Sequence, residues 1–229
     1  SKALGLDYKR IQFTTDTLPS DIVGFTMLNN ETQKFEFRPG AVFSNLLLAD
    51  EINRTSPKTQ AALLEAMEEH NVTVDGVTYD LPHPFITIAT QNPMGSAGTQ
   101  PLPESQLDRF MICLSIGYPN LEKQIEIIKS RRYDNPIERI EEVASKENVI
   151  EVQNYLSSVR ISDDVLKYIV LLCEKTREMP LVELGVSPRG VLALVQMAKA
   201  HAVLEDRIYV IPEDVQYVFL DVCAHRMIL

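Results

Sequence analysis

Two adjacent carboxylates, Asp50 and Glu51, follow a run of four apolar residues, Leu46-Leu47-Leu48-Ala49, and precede Ile52-Asn53-Arg54. A short apolar run ended by charge suits a strand buried on both faces, as in a parallel sheet. Ligands of such sheets bind in the crevice beyond the carboxyl ends of the strands, which is where this acid pair would stand. Nucleotide hydrolysis uses such a pair: one carboxylate holds magnesium, usually through water, and its neighbour polarises the attacking water. The same residues also suit a buried strand whose exit is marked by acids that cap the next helix. The stretch by itself does not choose between the two.

A second apolar run, Phe85-Ile86-Thr87-Ile88-Ala89-Thr90, ends in the polar pair Gln91-Asn92 before Pro93. An amide placed beside the acid pair could orient a lytic water or touch a terminal phosphate. Asparagine before proline is also a common way to begin a turn. Gly95-Ser96-Ala97-Gly98-Thr99 lacks the Gly-Lys-Thr/Ser ending of a phosphate loop and is not read as one.

The surrounding elements must carry these residues. Lys9 to Phe13 alternates apolar and polar residues and predicts a strand. Gly24 to Gly40 suits a hairpin, with Phe35 and Phe37 on one face, where core packing would explain them. Ser56-Pro57 supplies an N-cap and a first-turn proline for a helix through Glu69 with Leu63, Leu64 and Met67 on one face. Asp75-Gly76 between Val72-Thr73-Val74 and Val77-Thr78-Tyr79 signals a second hairpin. Met111-Ile112-Cys113-Leu114 predicts a third buried strand. Beyond Tyr118-Pro119 helical spacing takes over: helices are predicted over 121–133 and 149–159, then from Ser162-Asp163-Asp164, Ser187-Pro188-Arg189-Gly190 and Ile211-Pro212-Glu213-Asp214. The expected division is therefore an α/β domain over 1–118 and a helical domain over 119–229.

With 229 residues, 45% hydrophobic and 24% charged, the chain can bury a core of ordinary size. No apolar run approaches the roughly 20 residues that span a bilayer. Cys113, Cys173 and Cys223 are odd in number, far apart and set among apolar neighbours, so buried free thiols in a reducing, cytoplasmic compartment are expected. They form no zinc-ligand pattern. A net charge of −10 opposes binding to a polyanion. Lys129-Ser130-Arg131-Arg132 is a short basic run, and such runs are commonly solvated helix ends.

Taken in order along nearly the whole chain, the motifs resemble the MoxR family of AAA+ ATPases. They are Leu18-Pro19-Ser20-Asp21, Phe35-Glu36-Phe37-Arg38-Pro39-Gly40, Leu47 to Arg54, Pro57-Lys58-Thr59-Gln60, Ala89 to Pro93, Pro101 to Glu104 with Gln106 to Phe110, Ser187 to Gly190 and His225 to Leu229. The resemblance implies an AAA+ parallel sheet with flanking helices and β-hairpin inserts, followed by an all-helical lid. It implies ATP and magnesium as cofactors, with Asp50 and Glu51 as the Walker B pair, Asp50 for the metal and Glu51 for the water. Asn92 matches sensor 1, Arg109 an arginine finger supplied to a neighbouring subunit, and Arg189 sensor 2. Read without it, Arg109 suits a salt bridge to Asp108 or Glu104, and Arg189 a surface charge at a helix start.

The implied assembly is a homo-oligomeric ring, a hexamer, acting on client protein complexes, often beside a von Willebrand factor A domain protein. Chaperone-like maturation or metal-cofactor insertion is the implied role. The departure is the phosphate loop: no Gly-x-x-x-x-Gly-Lys-Thr/Ser occurs in the 229 residues. These residues are therefore expected to come from a longer protein, and hydrolysis to require that loop. Two other classes fit less well. One is a scaffold on the same fold that has lost hydrolysis, against which the intact Asp50, Glu51, Asn92, Arg109 and Arg189 argue. The other is a DNA-translocating motor, against which the acidic charge argues.

Overall fold

The computed structural model describes residues 1–92, 101–130 and 139–229. The glycine-bearing stretch 95–99 and the arginines of the 129–132 basic run lie outside the described residues. Within them the chain packs as two compact units, 1–102 with 142–150, and 103–141 with 151–229. This division falls earlier than the break expected after residue 118, because residues 108–111 are bonded to the end of the last helix.

The first unit is built on a three-stranded parallel sheet, β1 (Tyr8–Gln12), β4 (Leu46–Asp50) and β7 (Ile86–Ala89), with β4 in the middle. Its register sets Gln12 beside Asp50, and Ala49 beside Ala89. The three strands therefore end within one residue of each other, so Gln12, Asp50 and, just past β7, Thr90 collect at one edge. Leu47 and Ala49 are fully buried while Leu46 and Leu48 are half-buried, so one face of β4 is more deeply covered than the other. Helices α1 (Pro19–Val23) and α2 (Pro57–Glu69) pack together, and Ile22, Leu63, Leu64 and Ala66 join Phe13, Val42 and Ile52 in the core.

The start of α2 is fixed locally. The Ser56 hydroxyl accepts from Thr59 N–H at 3.3 Å, and Pro57 occupies the first turn, where its missing N–H costs nothing. The buried Thr59 hydroxyl donates to Thr17 O at 3.0 Å, and buried Gln60 donates to Ile52 O at 3.1 Å. Gly40 has a steric reason: a Cβ there would lie 2.2 Å from Ile22 O.

Both hairpins form as expected, β2 (Phe25–Asn29) with β3 (Lys34–Arg38), and β5 (Asn71–Val74) with β6 (Val77–Asp80). Phe37 stacks on Tyr79 with ring centroids 4.0 Å apart, which joins the two hairpins. Core packing does not explain Phe35, which is 76% exposed. An alternating strand places Phe35 and Phe37 on one face, but among the described residues only Phe37 has a ring opposite it.

In the second unit α3 (Glu104–Leu107) and α4 (Leu121–Ser130) precede α5 (Lys146–Leu156), which begins in the first unit and ends here. Then come α6 (Asp163–Glu178), α7 (Pro188–Leu204) and α8 (Pro212–Cys223). The expected helix over 121–133 is described only as far as Ser130. Ser162 and Ser187 cap α6 and α7, accepting from Val165 N–H and Gly190 N–H. Small residues of α7, Ala193, Ala198 and Ala202, share a buried core with Val215, Val218 and Val222 of α8 and with Ile169 and Cys173 of α6.

Two expectations are corrected here. Residues 111–114 form no strand: Cys113 N–H donates to Asp221 O at 2.9 Å, and no strand offers them a ladder among the described residues. Cys113 is accordingly exposed, whereas Cys173 and Cys223 are buried as expected.

Asp214 staples the second unit. Its fully buried carboxylate accepts from Arg207 at 2.5 and 2.8 Å and from Ile211 N–H at 2.9 Å, and lies 2.7 Å from His201 Nδ1. Burial pushes this carboxyl up, but the hydrogen bonds from Arg207, Ile211 N–H and His201 outweigh it and hold it down at about 2. A depressed carboxyl pKa stabilises the fold fully above its ordinary value of 3.8, and that share is lost as pH falls toward 2. Asp214→Ala is therefore expected to cost about 3 kcal/mol near neutral pH, because it strands a charge and a buried N–H. The deficit should shrink as pH falls from 4 to 2, as read by denaturant unfolding.

Candidate functional site

Asp50 is the last residue of the central strand, with its side chain 22% exposed. Its Oδ1 accepts from the Thr90 hydroxyl at 2.5 Å, and its Oδ2 from Arg10 Nη2 at 2.6 Å and Nε at 3.2 Å. The Thr90 hydroxyl, and after it the Arg10 guanidinium, hold this carboxyl below the usual carboxylate range, so it is ionised at neutral pH.

Glu51 follows in a left-handed conformation, with φ 55° and ψ 49°. For a residue with a Cβ this costs about 1–3 kcal/mol, and such strain persists where the surroundings over-determine it. Here Glu51 N–H donates to the Thr90 hydroxyl at 2.9 Å, and Ile52 N–H to Thr90 O at 3.0 Å. Glu51 Oε2 accepts from Gln12 Nε2 at 3.0 Å and from Arg54 Nη1 at 2.8 Å.

Asn92, exposed just past β7, is held by its backbone. Asn53 Nδ2 donates to Asn92 O at 3.1 Å, and Asn92 N–H donates to Asn53 Oδ1 at 3.4 Å. Asn53 is 5% exposed, so the loop after the acid pair and the loop after β7 are joined through a buried amide.

The first unit thus brings Asp50, Glu51 and Asn92 to one edge of the sheet. Arg109 and Arg189 belong to the second unit. Arg109 follows Asp108, whose carboxylate accepts from the Ser187 hydroxyl at 2.9 Å to each oxygen, and Arg189 lies two residues beyond Ser187 on the first turn of α7. Thr90, Arg10 and Gln12 were missed in the sequence. Only the parallel register, which ends three strands level, could have pointed to them.

The family model described as "ATPase family associated with various cellular activities (AAA)" matches residues 1–112, and that of the AAA lid domain matches 174–228. Protein MoxR of Paracoccus denitrificans is 30% identical over all of this chain and 74% of its own length. The chain belongs to the MoxR family of AAA+ ATPases. Chaperone MoxR1 of Mycobacterium tuberculosis is 36% identical, and the chain spans 63% of its length. The uncharacterised protein YeaC of Bacillus subtilis is 52% identical over all of this chain and 72% of its own. A crystal structure of a candidate ATPase from Cytophaga hutchinsonii, 41% identical, superposes with a TM-score of 0.91 over all of this chain and 72% of that one. The α/β fold with lid helices is therefore that of the MoxR family. No helix among the described residues is long and apolar enough to cross a membrane.

The sheet edge carries one carboxylate of the kind that magnesium takes. That ion keeps most of its water and takes one or two carboxylates from the protein, with phosphate oxygens beside them. An ionised Asp50 at the sheet edge meets this demand. No group of three His, Cys, Asp or Glu side chains converges among the described residues, at this edge or away from it, so the protein offers the ion a carboxylate and not a closed cage.

Proposed function

We propose that this protein hydrolyses ATP with magnesium in a ring, a hexamer of identical subunits, and uses the cycle to remodel or mature client protein complexes. Asp50 holds the metal through water, and Glu51 accepts a proton from the attacking water. Asn92 orients that water or the terminal phosphate. Bound magnesium would neutralise charge on the β- and γ-phosphates. Arg109 reaches the nucleotide of a neighbouring subunit, and Arg189 contacts the phosphates. Phosphoryl transfer asks the protein mainly to position groups and to neutralise developing charge, and these five residues divide that work. A cytoplasmic location, a von Willebrand factor A domain partner and metal-cofactor insertion belong to the same proposal.

The observation that carries this reading is the conformation of Glu51. A left-handed, non-glycine residue is held there by two bonds to Thr90, beside an ionised Asp50. A surface acid that only capped a helix would need no such turn. The reading requires a phosphate loop, which these 229 residues do not contain, so its experiments use the full-length native protein. ATPase activity per subunit, measured against protein concentration, is expected to rise as subunits associate and then level off. Absence of ATP binding and turnover at every concentration would leave a scaffold on this fold as the better description.

A further inference from the structure

Arg226 follows the last helix and is 4% exposed, though it is the longest and most strongly charged kind of side chain. Most of its guanidinium bonds go to one short segment. Nε donates to Asp108 Oδ1 at 2.9 Å, Nη2 to Phe110 O at 2.6 Å and Asp108 O at 3.2 Å, and Nη1 to Met111 O at 3.2 Å. Nη1 also bonds Val222 O, which anchors the fork to the end of α8. The carbonyls of residues 108, 110 and 111 surround Arg109, so its backbone is gripped from both sides.

The same Asp108 carboxylate accepts from the Ser187 hydroxyl, which in turn accepts from Gly190 N–H at 3.0 Å and so caps α7. A further detail shows how closely Arg226 lies on that helix start. A Cβ at Gly190 would come 2.8 Å from Arg226 Cδ and 2.7 Å from Val186 Cγ1. One buried cation therefore ties together the segment bearing Arg109, the first turn bearing Arg189, and the end of α8.

We infer that Arg226, acting through Asp108 and Ser187, is a positioning residue that holds Arg109 and Arg189 in one rigid body. This rests on the roles proposed above for those two arginines. A planar fork with five donors suits the task, because it fixes several carbonyls at once; an ammonium is a point charge on a flexible stem. The arginine finger then moves only when the start of α7 moves, and its reach does not depend on a loop finding its place.

The test uses the full-length protein and three variants: Asp108→Asn, which keeps shape and the Ser187 bond but removes the charge facing Arg226, Arg109→Ala, and the double variant. Turnover, KM for ATP and assembly are measured for each. Asp108→Asn is expected to lower kcat on the order of tenfold, as for a lost charge-assisted hydrogen bond, with KM and assembly unchanged. The double variant is expected to be no slower than Arg109→Ala alone, because Asp108→Asn keeps the Ser187 bond that caps α7 and leaves Arg189 in place, so its effect runs through Arg109. Hydrogen exchange at residues 108–112 should quicken in Asp108→Asn, and Arg226→Lys should reproduce both effects. If Arg109→Ala slows turnover but Asp108→Asn does not, or if the two effects multiply, the positioning role is overturned and the finger stands. If Arg109→Ala leaves kcat unchanged, the arginine-finger reading fails and this inference falls with it.

Discussion

Glu51→Gln in the full-length protein is expected to bind ATP normally and to turn it over about 10²–10⁴-fold more slowly, the usual contribution of a positioned general base. Glutamine has the same shape and can keep the left-handed turn, because the bonds to Thr90 are made by the backbone of residues 51 and 52. Its amide oxygen can still accept from Gln12 or Arg54, which now hold Glu51 Oε2. What is lost is basicity. Stability and assembly should therefore be close to those of the parent, and the variant should accumulate in its ATP-bound form. Equal loss of ATP affinity would show instead that Glu51 supports binding, and unchanged turnover would remove it from the chemistry.

The largest effect is expected at Arg109. An arginine supplied to developing phosphate charge from a neighbouring subunit is worth ~10³–10⁵ in rate. Arg109→Ala should therefore approach the turnover of an isolated subunit even when fully assembled, with ATP affinity unchanged. Arg109→Lys should recover little, because a point charge does not reproduce the planar fork. The neighbouring Asp108, Phe110 and Met111 are fixed by Arg226, so truncating the Arg109 side chain leaves the segment's own bonds in place. A structural salt-bridge role for Arg109 would instead lower stability or assembly and leave kcat of the assembled protein alone.

Most of the framework was legible in the residues because periodicity and punctuation agree there. Apolar runs ended by charge gave β4, and a serine followed by proline marked the starts of α2 and α7. Asp-Gly gave the second hairpin. Failures came where local pattern and partner diverge. Met111-Ile112-Cys113-Leu114 has the composition of a strand, yet its described bonding runs to α8. Phe35 alternates correctly with Phe37 but is 76% exposed with no ring against it among the described residues, while Phe37 has Tyr79.

The candidate site was legible in part for the same reason. Asp50, Glu51 and Asn92 sit at strand ends, a position that one sequence can show. Thr90, Arg10 and Gln12 become site residues only through cross-strand register, and Arg226 only through contacts more than a hundred residues away in sequence. Nothing in local spacing distinguishes Arg226 from any other arginine near a helix end.

Mixing two inactive variants tests most directly whether the acid pair and the arginine act across a subunit boundary. Glu51→Gln and Arg109→Ala full-length proteins are combined in equal amounts, allowed to exchange subunits, and assayed for ATP hydrolysis. Where an Arg109→Ala subunit sits beside a Glu51→Gln subunit in the right order, an intact Glu51 meets an intact Arg109. Random mixing into a closed ring places such a pair at about a quarter of the interfaces, so activity is expected to recover toward that fraction. Mixed assemblies that form but stay as inactive as either parent would contradict a catalytic site shared between neighbours.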